Sequence, residues 1–298
     1  MSNIKPQPLV SVVIATYNMA QYLPQAIDSI QSQTWQNLEI IVVDDGSTDD
    51  TPEVMKAYEG SERVRYIRNE NQGQPKAKNC GVRNAQGEFI AFCDADDLWE
   101  PFKLEKQMPL FNNLRTGVVY SEVSHIDEHN ARYDKPPAYT RYRGKVTNRL
   151  LYKNFVPFGT AVIRRQCVSQ NGMFDEDFRM GIDWDLWLRY SLDWEFDYVT
   201  DKTYVYREWS GQMSTNYRGR YDHAFRILTK FASRFQSQLN SKALQQAWAD
   251  MHIGKGNIIA RQEGTVKEPL MCILKGISTA PGYWYGWKSL IKLALRRP

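Results

Sequence analysis

The sequence predicts an α/β protein: a mixed, mostly parallel sheet flanked by helices, followed by a helical extension. Three observations predict it. Strand-like and helix-like segments alternate from residue 9 to about residue 217. The strand segments are continuous apolar runs rather than alternating ones, the pattern of strands covered on both faces. Beyond residue 217 the alternation stops, and helical spacing runs over residues 221–239, 243–262 and 268–277. The expected division is therefore a sheet domain over residues 1–217 and a helical region over 218–298.

The elements follow in order. Residues 9–16 (LVSVVIAT) are a β-branched run and a buried strand. Residues 22–33 put Ala26, Ile27 and Ile30 on one helical face. Residues 38–44 (LEIIVVD) are the second strand. Residues 51–58 read as a helix, with Thr48 or Asp49 as N-cap and Pro52 in the first turn. A short strand at 64–67, a helix at 74–84, a strand at 88–93, a helix at 101–113 and a strand at 117–121 continue the alternation. Residues 124–143 are polar, contain Pro136 and Pro137, and read as a long excursion. A strand at 160–164, a loop at 174–179, a helix at 183–192 and a short strand at 203–207 complete the sheet domain. Right-handed crossovers place the strand C-termini at one edge, where sheets of this kind bind ligands.

Bulk properties exclude several classes. With 42% apolar and 24% charged residues in 298, a sizeable core is expected and disorder is not. A net charge of +4 is too mild to imply a nucleic-acid partner. Cys80, Cys93, Cys167 and Cys272 form no CxxC or Cys/His cluster and read as reduced, buried residues of a cytoplasmic protein. His125, His129, His223 and His252 lack metal-ligand spacing and read as surface or loop residues. No secretory signal is seen at the start, and no uncharged stretch approaches the roughly 18 residues of a spanning helix.

The run Phe92-Cys93-Asp94-Ala95-Asp96-Asp97 carries the most chemistry. A buried strand does not hold three like charges without a partner, so these acids are expected to emerge at the strand end. There they suit a divalent cation on a diphosphate, Mg²⁺ or Mn²⁺ by hardness, or alternatively one of them caps the next helix. Asp44 and Asp45 leave the second strand likewise. Asp45 suits a base N–H or ribose hydroxyls, or else a turn and helix cap. Thr16, Tyr17 and Asn18 end the first strand, and Tyr17 offers a ring for base stacking. Lys76 and Lys78 open a helix beside this edge, either on phosphate or as a solvated face. Asp183 and Asp185 open another, either as a general base or as first-turn acids favoured by the helix dipole. In the tail, Lys288, Lys292 and Arg296 recur every four residues, with Arg297 beside them, while Trp284, Trp287, Ile291 and Leu295 take another face. This suits an anionic membrane surface, the alternative being an ordinary packed helix.

With these residues in order, the chain resembles the family 2 glycosyltransferases of the GT-A fold over roughly residues 8–217. The resemblance rests on Val10 to Asn18, on Asp44-Asp45-Gly46-Ser47-Thr48-Asp49, on Asn71-Gln72-Gly73 through Ala77-Lys78-Asn79-Cys80-Gly81, and on Asp94-Ala95-Asp96-Asp97. Gly181 to Arg189 resembles the segment that holds the family's catalytic base, with Ile182 where Glu is usual. Tyr206-Arg207-Glu208-Trp209 resembles a further segment, with Trp209 where many relatives carry His.

The resemblance implies a metal-dependent, inverting transfer from a nucleoside-diphosphate sugar, most often of uridine, to a hydroxyl of a glycan or lipid-linked sugar, as in bacterial polysaccharide assembly. It implies Asp183 as base, Asp45 and Tyr17 on the nucleobase, Asp94 on ribose or metal, and Asp96 on the Mn²⁺ or Mg²⁺ of the diphosphate. Asp97 is expected to cap the following helix. Phe158, Gly159, Trp184 and Trp99 are expected on the acceptor side. The alternatives are a nucleotidyltransferase, disfavoured by the absence of a glycine-rich loop after the first strand, and a non-catalytic binding module.

Overall fold

A computed structural model describes residues 7–136, 140–212 and 216–295. Pro137, Arg296 and Arg297, which the sequence reading used, lie outside the described residues. The chain divides into two compact units, Met1–Val146 with Phe155–Gln212, and Thr147–Asn154 with Met213–Pro298.

The first unit is built on one sheet. Its strands are β1 (Val10–Thr16), β2 (Leu38–Asp44), β3 (Val64–Arg68), β4 (Phe89–Asp94), β5 (Leu98–Trp99), β6 (Thr116–Asp127), β7 (Arg132–Tyr133), β8 (Val162–Arg164) and β9 (Glu195–Glu208). Their order is β3-β2-β1-β4-β8-β6-β9-β5, with β7 on β6. Strands β1, β2, β3 and β4 pair parallel, as do β6 and β9, while β8, β5 and β7 are inserted antiparallel. The helices are α1 (Leu23–Gln31), α2 (Thr51–Met55), α3 (Gln74–Asn84), α4 (Lys103–Gln107), α6 (Arg165–Asn171) and α7 (Ile182–Asp193), with α5 (Thr147–Leu150) assigned to the second unit. The β-branched runs form the centre: Val10, Val12, Ile14, Ile40, Val42 and Ala91 are fully buried with Leu23, Ile27 and Ile30 of α1. That burial, at about 25 cal/mol per Å² of apolar surface, is what holds α1 on the sheet.

Several boundaries differ from the sequence reading. The segment expected as helix over 101–113 begins only after β5 and, beyond α4, tightens into the 3₁₀ turn Met108–Asn112. The strands expected at 117–121 and 203–207 are the ends of the long pair β6 and β9, and the polar stretch after residue 124 continues β6 and turns back through β7. His125 therefore sits in a strand, its ring between Tyr133 and Tyr206. Cys93 and Cys167 are buried as expected, whereas Cys80 and Cys272 are half-buried.

The second unit is helical: α5 with α8 (Tyr217–Phe235), α9 (Ser241–Glu263), α10 (Lys267–Thr279) and α11 (Trp284–Ala294). Side-chain caps start two of them, Asn216 accepting from the Gly219 N–H and Asn240 from the Ala243 N–H. Ala249, Ile253 and Ala280 form a small core with Tyr283 against it. His252, expected at the surface, stacks on Phe225 with centroids 4.7 Å apart, and burial pulls its pKa down to about 4. Among the described residues no helix is long and apolar enough to cross a membrane.

Candidate active site

Register brings the acids together. In the parallel ladder Thr16 pairs with Asp44 and Ala15 with Asp94, so the ends of β2 and β4 flank the end of β1. Two strand spacings separate those acids by about 10 Å. The expected edge of Thr16, Tyr17, Asn18, Asp45 and Asp94 is thus one contiguous rim.

On the β2 side the two neighbouring acids divide. Asp44 is fully buried and accepts from the Ser47 N–H at 2.8 Å and the Tyr66 hydroxyl at 2.6 Å, which makes it a loop tie. Asp45 accepts from the Gln72 N–H at 2.9 Å and the Gly73 N–H at 2.8 Å, joining the loop after β3 to the rim. Gly46 makes this joint possible: its φ is +76°, and a Cβ there would lie 2.7 Å from the Asn71 nitrogen. Asn18 has a φ of +54° and accepts from the Thr48 N–H at 2.7 Å, so its side chain holds the loop after β2. Tyr17 stands 44% exposed beside it. Among the described residues the buried Thr16 hydroxyl at the rim has no hydrogen-bond partner.

The acid run after β4 is held from behind by β9. Asp97 does not cap the following helix, as the sequence suggested. It is 1% exposed and accepts from the Tyr204 hydroxyl at 2.7 Å and the Arg207 N–H at 2.8 Å. Burial, then the charges of Asp96 and Asp94, push its carboxyl well up, and burial and the Asp97 charge push the Tyr204 phenol up in turn. So only two of the three acids reach the rim. Arg207, fully buried, donates to the Asp96 carbonyl at 2.7 Å, to Asn130 Oδ1 at 2.6 Å and to Gln25 Oε1 at 3.0 Å, under the Tyr22 ring. Asp96 accepts from the Trp209 indole N–H at 2.8 Å, and burial followed by the Asp94 charge raises its pKa.

Asp94 is paired with Lys78 at 2.9 Å. Lys78 is buried, not a solvated helix residue, and its ammonium lies 3.7 Å from the centre of the Phe158 ring. Lys76 remains exposed and reaches only Gln72. Phe158 stacks on Phe92 of β4 at 4.8 Å and contacts Trp187 of α7 at 6.4 Å. This aromatic bridge ties α7 to the acid rim.

The two acids that open α7 are separated by their partners. Asp185 is buried and paired with Arg189 at 2.8 Å, and Arg189 also holds the Met173 carbonyl at 2.7 Å. Asp183 is half-buried in the first turn of α7. Asn79 aligns this end of the unit by accepting from the Phe174 N–H and donating to its carbonyl, both at 2.9 Å.

The four residues expected on the acceptor side differ in their exposure. Trp99 is 3% exposed with Lys103 over its ring, Gly159 is closed off by Tyr204, and Trp184 is buried. Phe158 alone keeps partial exposure. The residues the sequence reading missed are Tyr204, Gln212 and the anchoring role of Arg207. Their sequence separation from the acids, 110 residues for Asp97 and Arg207, left no local signal.

The model of glycosyl transferase family 2 matches residues 11–171, more than half of the chain, which therefore belongs to that family. An uncharacterized glycosyltransferase of Rickettsia prowazekii is 34% identical over 188 residues, covering 61% of this chain and 58% of its own length. The chain thus spans less than two thirds of that relative. An uncharacterized glycosyltransferase of Methanocaldococcus jannaschii is 33% identical over 207 residues, 67% of this chain and 71% of that protein. Among solved structures, Staphylococcus aureus TarS 1–349 in complex with UDP-GlcNAc superposes with a TM-score of 0.70 at 19% identity, covering 95% of this chain and 88% of that one. The mannosyltransferase PcManGT from Pyrobaculum calidifontis, in complex with GDP-Man and Mn²⁺, gives 0.61 at 20% identity, covering 98% and 87%. Both likenesses concern the fold, which is GT-A.

Proposed function

We propose that this chain transfers a sugar from a nucleoside-diphosphate sugar, a UDP-sugar first among candidates, to a hydroxyl of a glycan or lipid-linked acceptor, with inversion. The observation that carries the reading is the in-register rim: Asp45 follows β2 on one side of β1, Tyr17 follows β1 itself, and Asp94 and Asp96 stand at the end of β4 on the other side, with the ends of β2 and β4 two strand spacings, about 10 Å, apart. That span suits a nucleoside at β2 and its diphosphate at β4, and the partnerless Thr16 hydroxyl lies between them. Family membership sets the nucleotidyltransferase alternative aside.

The donor set fits a hard divalent cation. Asp94 and Asp96 offer carboxylate oxygens at the end of β4. Among the described residues no group of three or more His, Cys, Asp or Glu stands ready to hold a metal. Two protein carboxylates completed by substrate phosphates and water are what Mg²⁺ and Mn²⁺ accept. When bound, such an ion supplies positive charge against the leaving diphosphate. Asp183 takes the proton of the acceptor hydroxyl onto a carboxylate oxygen. The acceptor oxygen bonds to the anomeric carbon as the bond from that carbon to the diphosphate oxygen breaks. One in-line displacement inverts the configuration.

The helical unit supports contact with an anionic membrane surface on the cytoplasmic side. The packed face of α11 is Gly286 and Ser289, whereas Trp284, Trp287 and Ile291 lie on the outward side, flanked by exposed Lys288 and Lys292. An ordinary packed helix turns its apolar side inward; this one turns it out, beside cations, as interfacial helices do. The transfer reading is tested by thermal shift with UDP, GDP and their sugar conjugates, with and without Mn²⁺. A metal-dependent rise in melting temperature with one nucleotide is expected, and no shift with any of them refutes the reading.

A further inference from the structure

Trp209 occupies a position where an imidazole would offer a lone pair, but an indole N–H is a donor only and cannot ligate a cation. Its nitrogen points at Asp96 Oδ2, 2.8 Å away. The ring is fixed by Tyr22, with centroids 5.8 Å apart, and by Gly211, where a Cβ would come within 2.1 Å of it. Gln212 hydrogen-bonds both the Asp96 carboxylate and the Arg207 carbonyl. Arg207 Nε holds the Asp96 backbone carbonyl at 2.7 Å. One short segment, residues 207–212, therefore fixes Asp96 at backbone and side chain together.

We propose that Trp209 is a positioning residue that makes the cation site of this chain dependent on the nucleotide. The inference rests on the donor reading above. Asp94 is already countered by the Lys78 ammonium at 2.9 Å, and one Asp96 oxygen is engaged by the indole. The protein alone thus offers a divalent ion little uncompensated charge and, among the described residues, no third ligand. The phosphates of a bound donor would supply what is missing, while Trp209 fixes the Asp96 carboxylate that would share in holding the ion.

The test is titration of the whole protein with Mn²⁺, free ion followed by electron paramagnetic resonance, with and without saturating UDP or GDP. Wild-type protein binds Mn²⁺ at least about tenfold more tightly with the nucleotide than without it. Trp209→His, which adds a ligand, binds Mn²⁺ without nucleotide about tenfold more tightly than wild type. Trp209→Phe, which keeps a ring and loses the N–H, weakens nucleotide-dependent Mn²⁺ binding about tenfold while circular dichroism stays that of wild type. Equal Mn²⁺ affinity with and without nucleotide, or an unchanged affinity in Trp209→Phe, overturns the inference alone. Failure of every nucleotide to bind at any Mn²⁺ concentration overturns the donor reading and this one with it.

Discussion

Lys103 is a lysine with no exposed surface, and replacing it measures what its burial costs. Its ammonium reaches Gln107 Oε1 and, at 2.8 Å, the Thr160 carbonyl, with the Trp99 ring 4.5 Å away. Among the described residues no carboxylate is hydrogen-bonded to it. Burial pulls its pKa from 10.5 to about 7. At about 1.4 kcal/mol for each pH unit between those values, this corresponds to roughly 5 kcal/mol of lost stability where both states are protonated. Between pH 7 and 10.5 the unfolded chain holds a proton that the folded chain has released. Stability from this group therefore rises with pH across that window and is lowest below it. In Lys103→Met the stem is kept and the titration removed. Gln107 still donates to the Thr160 carbonyl at 2.9 Å, so the carbonyl stays paired. Urea unfolding of both proteins from pH 6 to 9 should show the variant favoured most at pH 6. Its advantage should shrink by about 2 kcal/mol between pH 7 and 9. A difference between the two proteins that is constant over this range refutes the buried-amine account, whatever its sign.

Other perturbations separate the roles assigned along the rim. Asp183→Asn should keep nucleotide binding in a thermal-shift assay and lose transfer by about two to four orders of magnitude, the usual worth of a general base; undiminished turnover rejects Asp183 as base. Gly159→Ala places a Cβ 2.0 Å from the Tyr204 hydroxyl, which anchors Asp97. It should cost about 1–3 kcal/mol in urea melts and weaken nucleotide binding, and a neutral result means that the 158–160 turn yields freely. Removal of residues 283–298 should reduce sedimentation with vesicles containing anionic lipid, more at low than at high salt; equal sedimentation of both proteins rejects α11 as the contact.

The central sheet was legible because its strands are buried on both faces and run almost wholly apolar until they end. That is why β1, β2 and β4 are visible as β-branched runs, and why the acids mark their ends. Strands β6 and β9 were read too short. Ser124 and His125 in one, and Asp201 and Lys202 in the other, belong to strands exposed on one side, whose polar positions mimic loop. The site was legible as a set of acids and not as a division of labour. Asp44 against Asp45 and Asp97 against Asp96 differ in partners that lie on other elements, and Asp185 is set apart by its pairing with Arg189 one turn along α7. The indole on Asp96 sits 113 residues further along the chain. Exposure at the expected acceptor residues was not legible, because an aromatic residue near a site reads the same whether it lines a surface or, like Trp99, fills the core.

The long reach of Arg207 has a consequence for how the molecule is made. Its guanidinium joins Gln25, 182 residues earlier, to the Asp96 turn and to Asn130. Strands β1 to β4 can pair among themselves as soon as they leave the ribosome, since every partner lies within the first hundred residues. The acid turn cannot be locked until residue 207 arrives. A nascent or truncated chain ending before β9 would carry the paired strands β1 to β4 beside an acidic turn that lacks its anchor, a species with correct secondary structure and an unfinished rim. The rim of this protein is thus completed late in synthesis, by a residue far along the chain from the acids that it holds.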